Sequence, residues 1–352
     1  MDAPVRPPVR PMLARLAREL PTDGFVYEPK WDGFRCLAFR DGGRVDLRSR
    51  NDRPLARYFP EIVEAMTALP EERFVLDGEL ILVTGAGFDF PALLTRLHPA
   101  ASRVERLRRE TPSAFVAFDA LAVGVRDLRT APFVERRAVL EALLRDAGPP
   151  LYVTPATRER SRAAEWLERF QGAGIDGVVA KDPRLPYREG QRAIVKVKRE
   201  RTADCVVAGF RTYVEEPVVA SLLLGVYDRG GLRHVGVASS FSEAMRSELL
   251  AVLRPLIVPI DRHPWRDGFA IDRNPIGRLA GSAGTWTPDM ELDWIPVRPE
   301  LVCEVAFDQV DRARFRHPAR FRRWRPDLDP QACTLEQLEA SASPVADMLG
   351  EP

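Results

Sequence analysis

Apolar residues in the first half of the chain fall mostly in short alternating runs. Alternation is the period of a half-buried strand, whose successive side chains face opposite sides. Such runs predict strands at Gly24–Tyr27, Arg35–Phe39, Val45–Arg48, Phe74–Leu76, Leu80–Val83 and Phe115–Phe118. Ahead of them, Met12, Leu13, Leu16 and Leu20 recur at helical spacing within residues 1–23. Two longer helices are predicted, Pro132–Leu144 with proline at its start and Ser161–Gln171 with Ser161 as N-cap and Gly172 as stop. Two more β runs follow, Gly177–Ala180 and Ala193–Lys198.

Beyond Lys198 the texture changes. Cys205–Phe210, Val219–Tyr227, Arg233–Val237 and Leu301–Phe307 read as strands. One helix at Ser242–Leu253 interrupts them, with Ser240 and Glu243 spaced as a capping box. Several short strands around one helix suit a small Greek-key barrel such as an OB-fold. The expected fold class is α+β. An antiparallel-sheet domain over residues 1–199 precedes an OB-fold β-barrel over 200–327 and a tail over 328–352, with a hinge near Arg199.

Composition adds exclusions. The 352 residues are enough for two cores, and 45% hydrophobic with 29% charged is ordinary for a globular chain. No apolar run approaches the roughly 18 residues needed to cross a bilayer. The first residues lack the apolar stretch of a signal peptide, so a cytoplasmic protein is expected. Cys36, Cys205, Cys303 and Cys333 show no CxxC spacing, and the four histidines are scattered, which argues against a zinc cluster. Net charge is only +1, yet seven of the fourteen residues from Arg312 to Arg325 are arginine, interleaved with Phe315, Phe321 and Trp324. Such a run either binds phosphates and bases or forms a solvated face.

The lysines change the picture more. Lysine and arginine together number 52, but only Lys30, Lys181, Lys196 and Lys198 are lysine. In a chain so biased toward arginine, a retained lysine marks a place where guanidinium does not substitute. An amine can lose its proton and attack; guanidinium is a very poor nucleophile. The context Glu28-Pro29-Lys30-Trp31-Asp32-Gly33-Phe34-Arg35 sets a lysine at a strand end, beside a tight turn and an arginine. Lys196 and Lys198 alternate with Val195 and Val197, so on a strand both ammonium groups share one face.

Lys30-x-Asp32-Gly33-x-Arg35 resembles the nucleotidyl acceptor motif of the covalent nucleotidyltransferases, the superfamily of ATP-dependent DNA ligases, RNA ligases and mRNA-capping enzymes. Five further segments resemble its other motifs in the same order: Ser49-Arg50-Asn51, Leu76-Asp77-Gly78-Glu79-Leu80, Phe118-Asp119-Ala120-Leu121, Asp176 to Lys181, and Val195 to Lys198. Arg323-Trp324-Arg325-Pro326-Asp327 resembles the last. All four lysines fall inside these motifs. Leu-Asp-Gly-Glu-Leu and Asp-Gly-Val-Val-Ala-Lys point to the DNA ligases, and the compact extent is similar to the small C-type ligases of actinobacteria.

The resemblance implies a nucleotidyltransferase (adenylation) domain ahead of the OB-fold. It implies Lys30 as the nucleophile toward the α-phosphate of ATP, with Lys196 and Lys198 over that phosphate. Glu28 would lie by the adenine amino group and Phe118 would stack on the ring. Arg35 and Arg50 would hold phosphate, Glu79 would touch ribose or metal, and Lys181 would contact nucleotide or DNA phosphate. Arg323 and Arg325 would serve the departing pyrophosphate. Glu79 and Asp176 are oxygen donors suited to Mg²⁺ or Mn²⁺. Two departures stand out: Asp176 where glutamate is common, and Leu328 where a lysine often follows the final motif. The implied substrate is nicked double-stranded DNA in repair, handled by a monomer that relies on a repair polymerase or a DNA end-binding protein. The rivals are an RNA ligase, a GTP-using capping enzyme, or a non-catalytic OB-fold nucleic-acid-binding protein. An NAD-dependent ligase is disfavoured by the lack of a four-cysteine module.

Overall fold

A computed structural model describes residues 4–22, 24–84, 87–97, 100–169, 175–198, 200–213, 216, 218–267, 294–311 and 313–338. Arg199, Arg312 and the Asp176 side chain lie outside the described residues. The chain divides into two compact units, one reaching residue 199 and the other starting at Glu200.

The first unit is built on two sheets. The smaller runs in the order Ala14–Ala17, Ile194–Val197, Ile175–Lys181, Val26–Trp31. The larger runs Arg44–Ser49, Phe34–Asp41, Arg73–Thr84, Ser113–Val123 and Arg126–Asp127, with two short strands added alongside. Period-two alternation sorts its side chains. Cys36, Ala38, Leu76 and Leu80 join one core with the helices Pro60–Ala68 and Phe133–Leu143. Leu37, Phe39 and Val75 turn the other way, toward Met12 and Ile194 of the smaller sheet's side. The same opposite face carries Arg35, Asp77 and Glu79, whose positions in the sequence keep the alternation.

Four expectations are corrected here. The apolar residues at helical spacing near the N-terminus form no helix. Ala14–Ala17 is a strand, parallel to Ile194–Val197, and the long-range ladder overrides local spacing. The tight turn expected at Asp32-Gly33 does not join two paired strands. It carries the chain from the smaller sheet to the larger, where a Cβ on Gly33 would lie 2.1 Å from the Leu80 carbonyl oxygen. Leu76-Asp77-Gly78-Glu79-Leu80 does not separate two strands, because one strand runs through it from Arg73 to Thr84. The N-cap of Glu243–Leu253 is Ser242, whose side chain accepts from the Met245 N–H; Ser240 sits at φ 69°.

The second unit is a closed five-stranded barrel in the order Arg201–Thr212, Val219–Asp228, Gly231–Ser239, Ala319–Trp324, Ile295–Phe307. The third and last strands in sequence pair in parallel, and the Glu243–Leu253 helix follows the third. This is the OB arrangement. Ala319–Trp324, the closing strand, lies in the arginine-rich run, so that run is a barrel edge-filler as well as a charged face. Residues 328–338, set apart from sequence as the start of a tail, pack on the barrel. Leu338 is buried in its core, and the Gln337 side chain accepts from the Asp204 N–H. Among the described residues no helix is long and apolar enough to cross a membrane.

Candidate active site

A cavity of about 430 Å³ opens within the first unit. That size lies within the usual range for small-molecule sites. Glu28, Lys30, Arg35, Arg50, Glu79, Phe118, Lys181 and Lys196 all line it. These eight come from segments up to 168 residues apart in number, Glu28 to Lys196, and every one was named from sequence. Pro11 to Ala14, Pro29, Trp31, Val179, Arg192 and Ile194 complete the wall.

Lys30 is held by an irregular ladder. Its strand pairs Pro29 with Val178 and Trp31 with Ile175, and the register shifts between those two pairs. One extra residue therefore bulges opposite Lys30, at Asp176-Gly177. Gly177 has φ 138°, and a Cβ there would meet the Val197 carbonyl oxygen at 2.1 Å. Only glycine fits, and the bulge brings the Asp176 backbone beside Lys30.

Lys196 pairs with Val179 on one side and Leu16 on the other. Val195 and Val197 enter the core with Tyr27 and Val178, while Ile194 and Lys196 stand on the cavity wall. The strand ends at Val197, and Lys198 is not among the cavity residues. Of the two lysines, Lys196 lines the cavity, whereas Lys198 follows the last residue of the strand.

One end of the cavity is lined by a chain of ion pairs. Lys181 is 4% exposed; its Nζ lies 2.8 Å from Glu28 Oε2 and donates to the Phe118 carbonyl oxygen at 2.8 Å. The same ammonium faces the rings of Phe133 and Phe118 at 4.5 and 4.9 Å. Lys181 is thus tied to Glu28 and Phe118 instead of standing free for a phosphate.

Arg35 is also anchored. Its Nε and NH2 donate to the two oxygens of Asp77, each at 2.5 Å, and its guanidinium lies 4.4 Å from the Phe118 ring centre. Tyr187 donates to Asp77 at 2.6 Å and accepts from the Met12 N–H at 3.0 Å. Sequence reasoning missed Tyr187, which no motif contains. It also missed Arg192, one arginine among many, with no signal in its type. Arg50 and Arg192 carry exposed side chains at the cavity and have no carboxylate partner among the described residues.

Glu79 pairs directly with Arg35 across the ladder. Burial pushes its carboxyl up to about 7, against the pull of Arg35 and Lys30. Among the described residues no group of three or more His, Cys, Asp or Glu side chains gathers as a metal cage. A divalent cation of the Mg²⁺ type needs only one or two carboxylates when substrate phosphates supply the other oxygens, so Glu79 in a cation-lined cavity fits that mode.

Arg323 and Arg325 belong to the second unit. Arg323 Nε donates to Glu304 at 2.6 Å, and Arg325 is held by Asp204 at 2.9 Å and Asp327 at 2.8 Å. Arg320 and Arg322 both bond Glu200. Much of the charge in this run is therefore matched by carboxylates within the barrel.

Residues 11–198 match the model for the ATP dependent DNA ligase domain, and residues 215–328 match that for the ATP dependent DNA ligase C terminal region. DNA ligase C2 of Mycolicibacterium smegmatis is 48% identical over 97% of this chain and 97% of its own. DNA ligase C of Mycobacterium tuberculosis is 47% identical over 96% of each. A solved structure from work on Lig E DNA ligases, 19% identical, shares the fold with a TM-score of 0.53 over 90% of this chain and 99% of that one.

Proposed function

Because the chain belongs to the ATP-dependent DNA ligase family, we propose that this cavity binds ATP and that Lys30 takes AMP from it to seal nicks in double-stranded DNA. The observation that carries the reading is convergence: eight motif residues, scattered from Glu28 to Lys196, meet on one cavity wall.

In the first step the deprotonated Lys30 Nζ bonds to the α-phosphorus, the bond to the β-phosphate oxygen breaks, and pyrophosphate leaves. Lys196, on the same wall, neutralises the charge that builds on the phosphoryl oxygens. Arg50 and Arg192, unmatched by carboxylates, serve the polyphosphate end. Glu28 receives the adenine amino group, and Phe118 offers its ring to the purine. Arg35 acts chiefly through Asp77 and Phe118, holding the ring in place. In the second step an oxygen of the nick's 5′-phosphate attacks the AMP phosphorus and the P–N bond to Lys30 breaks. In the third the 3′-hydroxyl attacks the 5′-phosphate and AMP departs. The chain's part is mainly positioning and charge neutralisation around phosphorus.

Glu79, with Asp176, would hold Mg²⁺ or Mn²⁺, which would supply Lewis-acid neutralisation of phosphate oxygens. Asp204, Glu304 and Asp327 screen Arg323 and Arg325, so their service to pyrophosphate requires those pairs to be exchanged for phosphate. The protein works in the cytoplasm as a monomer, and a repair polymerase or end-binding protein brings it to breaks; affinity capture from cells with damaged DNA tests that partnership.

The deciding experiment incubates the protein and divalent metal with α-³²P-labelled ATP or GTP and resolves it under denaturing conditions. Label from ATP alone, lost in Lys30→Ala, with sealing of nicked DNA, is the expected result. Label from GTP, or from neither in folded and AMP-free protein, overturns the reading.

A further inference from the structure

Behind the cavity wall stands a residue that no motif includes and that does not itself line the cavity. Arg137, on the Phe133–Leu143 helix, reaches Glu28 Oε1 at 3.3 Å with NH1. Its NH2 donates to the Thr154 carbonyl oxygen at 2.7 Å, and its Nε to Glu141 at 2.5 Å. The guanidinium is therefore held on three sides, and its side chain is only 13% exposed. Glu28 is 2% exposed. Its other oxygen is taken by Lys181. One carboxylate is gripped at both oxygens by two different cations, from two different elements.

The geometry points to Arg137 as a positioning residue for base selection: it fixes the direction in which Glu28 presents its remaining acceptor sites to the purine. The inference rests on the reading that Glu28 meets the adenine amino group. A carboxylate only accepts hydrogen bonds. Adenine offers N–H donors at its 6-position, whereas guanine offers a carbonyl oxygen there. An acceptor that cannot turn away rewards the first and leaves the second facing a like lone pair in a dry site, a strong ground for rejection. A carboxylate bonded only to Lys181 can rotate about its own side chain, and the discrimination weakens. Thr154 tightens the arrangement, since its hydroxyl accepts from the Trp31 indole N–H at 2.8 Å while its carbonyl holds Arg137. Base recognition is thus tied to the residue next to Lys30.

The test compares initial rates of lysyl-nucleotide formation from ATP and from purine riboside triphosphate, which lacks the amino group. The proteins are the parent, Glu28→Gln, Arg137→Met and Arg137→Lys. The parent is expected to prefer ATP in kcat/KM by roughly ten- to a hundredfold, the worth of a hydrogen bond to a charged group. Arg137→Met should lose most of that preference while its rate with purine riboside triphosphate changes little. Arg137→Lys, which keeps a charge without the fork, should retain part of it. A purely structural role would slow both nucleotides alike, and that result in Arg137→Met and Arg137→Lys overturns the proposal. So does an undiminished preference for ATP in both variants. A parent that does not distinguish the two nucleotides, or a Glu28→Gln protein that distinguishes them as well as the parent, overturns the Glu28 reading and the proposal with it. Arg137→Lys keeps the comparison decisive if Arg137→Met does not fold.

Discussion

Asp77 accepts from both Nε and NH2 of Arg35, each at 2.5 Å, and from the Tyr187 hydroxyl at 2.6 Å. The carboxylate is fully buried, while Arg35 keeps 23% exposure. Removing one member of a buried pair costs about 3–5 kcal/mol, because the other is left unpaired. Arg35 retains some solvent, so Asp77→Asn should cost nearer about 2–3 kcal/mol. Tyr187→Phe should cost about 1 kcal/mol, and the double variant less than the sum. Urea unfolding midpoints measure all three. Unchanged midpoints for Asp77→Asn would mean that the network contributes nothing.

Glu79 sets a pH dependence of stability. Its folded value, about 7, lies above the ordinary 4.5. Between those two values the folded protein binds more protons than the unfolded chain, so stability falls as pH rises across that window and levels off above it. Glu79→Gln should flatten this part of the profile and gain stability relative to the parent toward the upper end. Paired unfolding curves across the window check the slope, and parallel profiles would refute the assignment.

Gly177→Ala should damage both stability and chemistry. The new Cβ would collide with the Val197 carbonyl at a φ of 138°, strain worth at least about 2 kcal/mol. Because the bulge lies opposite Lys30, lysyl-AMP formation should slow further than the loss of folded protein explains. Labelling normalised to folded fraction separates the two effects.

The two lysines of the fifth motif should differ. Lys196 lines the cavity and Lys198 does not. Lys196→Ala is expected to slow lysyl-AMP formation on the order of a hundredfold, as loss of one charge-stabilising donor does. Lys198→Ala should slow it less. Equal losses would contradict the placement.

Lys30→Arg keeps the charge and removes the nucleophile. It should form no lysyl-AMP yet seal nicks that already carry AMP on the 5′-phosphate, where the remaining chemistry does not pass through Lys30. Sealing from ATP by this variant would exclude Lys30 as the acceptor.

The family and its candidate site were legible in the sequence. Four lysines stood out in an arginine-biased chain, because an amine can do what guanidinium cannot, and the motifs read with them located eight cavity residues. Strand periodicity also placed four of the five barrel strands, with boundaries off by a few residues, but missed the closing strand Ala319–Trp324 inside the arginine-rich run. Tertiary structure decided what depends on distant partners. The residues spaced as an N-terminal helix became a strand because Ile194–Val197 supplies its ladder. Lys181 and Arg35 became pocket-builders because Glu28 and Asp77 lie within hydrogen-bond reach. Arg137, Tyr187 and Arg192 could not be singled out, since nothing in a residue's type reports which carboxylate or cavity lies across the fold. A side chain's identity limits the reactions open to it, but pairing across many residues of chain settles which of them it performs.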